Sequence, residues 1–161
     1  MSLFSAAASK LPHQIESIFT TMSKLARQHQ AIDLSQGFPN FETDDQLKEL
    51  VTAAMHDGFN QYAPMAGLAE LREEICKKIE RLYGKRYDPE TEVTVTNGAT
   101  EALYSAITSF VKKGDEVIVL KPAYDSYEPT IKLSGGIPVL IQLQGKEFKV
   151  DWEQMKARIT E

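Results

Sequence analysis

The stretch VTVTNGATEALYSAITSFVKKGDEVIVLKPAY, residues 93–124, decides the fold. Val93 and Val95 alternate with threonines, the pattern of a short β-branched strand. Asn97-Gly98 breaks it with a turn. Ala99, Ala102, Leu103, Ala106, Ile107 and Phe110 then recur at helical spacing, and Gly114-Asp115 closes that unit. Residues 116–120 form a near-continuous apolar run, which suits a parallel strand covered on both faces.

Downstream, a short helix is predicted over 126–133, a turn at Gly135-Gly136, a strand over 138–143 and a further helix over 150–159. Residues 92–143 therefore read as strand–helix–strand–helix–strand, which builds an open parallel sheet of three strands. Upstream, Ile15, Ile18, Phe19, Met22, Leu25 and Ala26 mark a helix over 15–28, and residues 32–34 are a brief extended piece. The loop Ser35-Gln36-Gly37-Phe38-Pro39-Asn40 leads to a helix over 44–56 with Leu47, Leu50, Val51 and Ala54 on its inward stripe. Residues 60–67 form another loop, and Leu68, Leu71, Ile75, Ile79 and Leu82 mark a long amphipathic helix ended by Gly84.

Composition narrows the function classes. The 161 residues carry a formal net charge of -5 and 42% hydrophobic residues, the profile of an ordinary globular protein. Lys and Arg are scattered, so no basic stripe marks a nucleic-acid partner. Cys76 alone permits no internal disulfide and no zinc cluster, and its place within a helical pattern favours a buried structural thiol. His13, His29 and His56 lack metal-ligand spacing. Residues 1–10 read as a short arm without signal-peptide character, and no apolar run reaches membrane-spanning length, so the expected location is cytoplasmic.

Ligands of open parallel sheets bind beyond the carboxyl ends of the strands. Two loops occupy such ends, Thr96-Asn97-Gly98-Ala99-Thr100 and Lys121-Pro122-Ala123-Tyr124, and neighbouring strands would turn both toward one crevice. In the first, Gly98 allows a sharp turn, the opening N–H groups of a helix point outward, and Thr100 adds a hydroxyl. Such a loop can hold one phosphate. By itself it is read more readily as an ordinary strand-to-helix turn, because it matches no glycine-rich phosphate fingerprint. Tyr124 can stack on a flat heteroaromatic ligand or pack on its own domain. The Gln36-Gly37-Phe38-Pro39 and Gln61-Tyr62-Ala63-Pro64 loops admit a site or plain turn chemistry.

Taken in order, DLSQGFPNF (33–41), NQYAPMAGLAELREEI (60–75), TVTNGATEALYSAI (94–107), GDEVIV (114–119), KPAYDSYEP (121–129) and LSGGIPV (133–139) resemble the fold-type I, class I/II aminotransferases. The resemblance runs from about Lys10 to Glu161. Its QGFP and QYAP wording is nearest the branch of methionine aminotransferases and kynurenine aminotransferase/glutamine transaminase. It implies a partial large domain, a parallel-sheet α/β sandwich over 44–161, preceded over 1–43 by a helical arm and part of a small domain.

The resemblance also implies roles. Gly98, Ala99 and Thr100 would bind the phosphate of pyridoxal 5'-phosphate (PLP), and Tyr124 would stack on its pyridine ring. Tyr62 would reach across a homodimer interface to the partner's cofactor. Gly37 would lie by the substrate carboxylate, and Phe19 would line the substrate pocket. The implied substrates are an amino acid of methionine, glutamine, aromatic or kynurenine type and a 2-oxo acid. The family's Schiff-base lysine, pyridine-nitrogen aspartate and carboxylate-binding arginine would lie beyond Glu161. Lys112, Lys113, Lys121 and Lys132 do not match the lysine motif, so no catalytic residue is assigned and the chain alone is expected to be inactive. The chain thus reads as truncated, with core helices expected to show bare apolar faces and a tendency to aggregate. Competing readings are a PLP-dependent cysteine-conjugate β-lyase, a non-catalytic α/β interaction module and a small-nucleotide phosphate binder.

Overall fold

The computed structural model describes residues 10–11 and 16–160. Residues 1–9 of the expected arm, His13 and the predicted helix start at Ile15 lie outside the described residues. Two compact units divide the chain between Thr20 and Thr21 and again between Thr96 and Asn97.

The unit containing residues 97–160 is built around helix α4 (Gly98–Phe110), strand β1 (Glu116–Lys121), helix α5 (Tyr127–Leu133), strand β2 (Ile137–Gln142) and helix α6 (Trp152–Ala157). β1 and β2 pair in parallel, from Glu116 opposite Ile137 to Lys121 opposite Gln142. That parallel pairing requires a crossover, and α5 supplies it while packing on both strands and on α4. The burial follows: Val119 of β1, Ile131 of α5 and Ile141 of β2 are all buried. Asp151 caps α6 by accepting from Gln154 N–H at 2.9 Å.

The expected third strand is absent. Residues 93–96 adopt no regular structure, and the described sheet has two strands. A strand exists only where a partner offers a complementary row of N–H and C=O groups, and β-propensity cannot substitute for one. Val95 N–H finds a loop acceptor instead, donating to Ala66 C=O at 2.9 Å.

The other unit, Thr21–Thr96, is helical. It contains most of helix α1 (Ile18–Gln28), helix α2 (Asp45–His56) and helix α3 (Ala69–Tyr83). Asp44 caps α2 by accepting from Gln46 N–H, and Gly84 ends α3 in the left-handed conformation. The α2 stripe of Leu47, Leu50 and Val51 is more than half exposed, as the expectation of bare apolar faces had it. In α3 the buried positions are Arg72 and Cys76, while Leu71 and Leu82, and Leu68 just before the helix, stay exposed. Among the described residues, no helix is long and apolar enough to cross a membrane.

Candidate functional site

The first turn of α4 carries three of the residues expected to meet a phosphate, Gly98, Ala99 and Thr100. Gly98 opens the helix at φ +82°, and a Cβ built there would meet no atom within 4 Å. On the side where a Cβ would stand, the backbone at the start of α4 is therefore not covered by other parts of the protein. The Asn97 side chain makes no capping hydrogen bond. The Glu101 carboxylate instead accepts from Asn97 N–H.

The second loop comes to this turn. Thr100 Oγ1 and Tyr124 Oη lie 3.3 Å apart, across 24 residues of sequence. The Tyr124 ring is half exposed and rests edge-on against Tyr127, with centroids 6.0 Å apart and planes at 68°. Tyr127 opens α5, so the ring has support behind it and an open side in front. The loop itself begins with a cis Lys121–Pro122 bond and is closed by an ion pair, Lys121 Nζ to Glu128 Oε1 at 2.6 Å. That hydrogen bond, ahead of the attraction of Lys121 and Lys132, holds the Glu128 carboxyl below its ordinary value of 4.5. A helix N-terminus, a hydroxyl and a supported aromatic ring fit a flat ligand that carries a phosphate.

The other expected site residues are placed as follows. Phe19 is half-buried near the start of α1. Two residues before it, Ser17 Oγ donates to Asp125 Oδ2 at 3.0 Å, so the start of α1 is tied to the Tyr124 loop. Gly37 is exposed in a loop of the helical unit, with no atom within 4 Å of a built Cβ. Tyr62 is fully exposed, and its loop belongs to the same unit. Gly98, Ala99, Thr100 and Tyr124 are thus brought together. Gly37 and Tyr62 lie in the other unit. Among the described residues, no cluster of His, Cys, Asp or Glu could hold a metal ion.

Two arrangements were not foreseen from the sequence. Asp33 accepts from Ser23 Oγ at 2.7 Å, from Ser35 N–H at 2.9 Å and from Ser35 Oγ at 2.6 Å. Gln36 Nε2 donates to Ser23 Oγ at 2.9 Å, so the segment entering Gly37 is laced to α1. The Ser23 bond, then those from Ser35, hold the Asp33 carboxyl below its ordinary value. The Asp-x-Ser spacing of 33–35 was a legible turn signal, but its partner on α1 was not. The second arrangement is the buried Arg72, whose guanidinium donates to Gly67 C=O, Pro89 C=O and Glu90 Oε1. Nothing in the helical pattern distinguishes it from the exposed cations of α3.

A parallel β–α–β unit with a glycine-opened helix and a ring-bearing loop at one end defines an α/β ligand-binding class. The model of the class I and II aminotransferase family matches residues 29–161, and the chain belongs to that family. The methionine aminotransferase of Escherichia coli K12 is 54% identical over 153 residues, covering 95% of this chain and 40% of that protein. A probable N-succinyldiaminopimelate aminotransferase, DapC, of Mycobacterium tuberculosis is 38% identical over 154 residues, covering 94% of this chain and 39% of that protein. Among solved structures, YbdL from Escherichia coli, identified with a methionine aminotransferase function, superposes with a TM-score of 0.91 at 53% identity. That match covers 96% of this chain and 40% of the other. The chain spans about two-fifths of the length of the relatives it matches.

Proposed function

We propose that this chain forms the cofactor-phosphate side of a PLP-dependent aminotransferase that exchanges an amino group between an amino acid and a 2-oxo acid. The observation that carries the reading is the meeting of Thr100 and Tyr124 at 3.3 Å beside the open Gly98 backbone. In this reading Gly98, Ala99 and Thr100 hold the cofactor phosphate, by backbone N–H groups and by the Thr100 hydroxyl. Tyr124 covers one face of the pyridine ring, with Tyr127 keeping its ring from turning away. When bound, PLP supplies the electron sink that draws charge from the substrate's α-carbon. Gly37 and Phe19 shape the substrate side, and Tyr62 serves the cofactor of a second copy in a homodimer. Residues 44–161 belong to the large domain and 1–43 to the arm and small domain. The likeness to the Escherichia coli methionine aminotransferase favours methionine as amino donor.

The test uses the natural gene product that carries this sequence. PLP is expected to bind, and methionine with a 2-oxo acid is expected to give the new amino acid, read by mass spectrometry. Thr100→Val and Tyr124→Phe should each weaken PLP binding roughly tenfold, the scale of one hydrogen bond to a charged group or its ordering. A product that neither binds PLP nor transfers an amino group overturns the reading.

A further inference from the structure

The guanidinium of Arg72 is the most enclosed charge in the helical unit, with a side chain 8% exposed. Its Nε donates to Gly67 C=O at 3.3 Å, Nη1 donates to Pro89 C=O, and Nη2 meets Glu90 Oε1 at 3.2 Å. One planar fork thereby joins the end of the 60–67 loop to the turn at 89–90.

That loop is fastened at both ends and bare between. At its start, Asn60 Nδ2 donates to Met55 C=O at 2.8 Å and Phe59 N–H donates to Ala54 C=O at 3.1 Å. At its end, Gly67 N–H donates to Pro64 C=O at 2.8 Å, and Val95 N–H donates to Ala66 C=O at 2.9 Å. Gly67, at φ +96°, lies so close to Val95 that a Cβ would sit 2.5 Å from Cγ2. Tyr62 stands between these anchors, fully exposed. The backbone that carries this ring is fastened on both sides, so presenting the ring costs less ordering entropy than a free loop would.

We propose that Arg72 is a positioning residue for Tyr62, acting through the Gly67 carbonyl and the 89–90 turn to fix the loop that presents the phenol. This rests on the reading of Tyr62 as a cofactor ligand. The test measures the PLP dissociation constant and the melting temperature of the natural gene product and its variants. Tyr62→Phe should raise the constant roughly tenfold with little change in melting. Arg72→Lys keeps the charge but loses the fork, and should raise the constant by a similar factor while lowering the melting temperature. Cys76→Ala, one turn along α3 and with none of the three fork bonds, should lower the melting temperature alone. The double variant Tyr62→Phe/Arg72→Lys should bind PLP no more weakly than the poorer single variant, because both changes remove one interaction.

The outcomes separate the inference from its foundation. An unchanged constant in Tyr62→Phe overturns the role of Tyr62. A weakened Tyr62→Phe beside an Arg72→Lys that behaves like Cys76→Ala, or a double variant whose losses multiply, overturns the positioning role alone. If Arg72→Lys does not accumulate, Glu90→Gln carries the test from the exposed end of the fork. It should raise the constant about twofold, the scale of a rim ion pair, and an unchanged constant there overturns the proposal.

Discussion

Gly67 and Gly98 both sit at positive φ, +96° and +82°; Gly67 closes the loop that carries Tyr62, and Gly98 is itself expected to meet the cofactor phosphate. Their surroundings are opposite. Gly67 is buried against Val95, and a Cβ there would lie 2.5 Å and 2.6 Å from two carbons of that side chain. At Gly98 a built Cβ would meet nothing within 4 Å. One glycine is required by packing within the protein; at the other, packing leaves room for a side chain. On the proposed function, the contrast separates a loop built as scaffold from a loop built as receptor.

The sharpest way to break that contrast is to place the same methyl group at both positions. Gly67→Ala must relieve a backbone strain and an overlap together, and is expected to destabilise the natural gene product by about 3 kcal/mol. A urea or thermal unfolding series measures it. Gly98→Ala carries the conformational term alone, about 1–2 kcal/mol. Its larger consequence should be on binding, because the methyl group would occupy the approach to the helix N-terminus, and PLP affinity should fall roughly tenfold or more. If Gly98→Ala proves as destabilising as Gly67→Ala and binds PLP normally, the receptor reading of the α4 turn is wrong.

The same contrast explains what the sequence could say. The α4 helix, β1, α5 and β2 were legible because period and turn residues are local, and their observed bounds lie within a residue or two of the expected ones. That the Thr100 and Tyr124 loops face one another was expected from three neighbouring parallel strands, yet they meet without the first of those strands, so the expectation was met by a different arrangement from the one it rested on. The strand expected at Val93 and Val95 was not legible, because strand formation depends on a partner that sequence pattern does not supply. Arg72 was hidden for a related reason. A cation on an amphipathic helix reads as solvated, and only the carbonyls of Gly67 and Pro89, brought from elsewhere in the chain, make it a buried anchor. Ser23 and Asp33 are hidden likewise, as partners ten residues apart on different elements.

The smallest expected effect concerns the fastening of the Tyr124 loop, the ion pair of Lys121 with Glu128. Glu128 has its carboxyl held below the ordinary value of 4.5, first by the Lys121 hydrogen bond and then by the charges of Lys121 and Lys132. A carboxyl depressed in the folded state binds its proton more readily when unfolded. Its contribution to stability is therefore full above the ordinary value and is lost as pH falls through the depressed one. Both partners remain partly exposed, 35% for Lys121 and 23% for Glu128, so solvent screens the pair and the contribution should stay under about 1 kcal/mol. Glu128→Gln should thus be slightly less stable than the parent at neutral pH, with the difference closing in acid. A difference that persists unchanged below the depressed value would mean that packing of the Glu128 stem, rather than its charge, ties β1 to α5. The Tyr124 loop would then be scaffold of the same kind as the Gly67 turn.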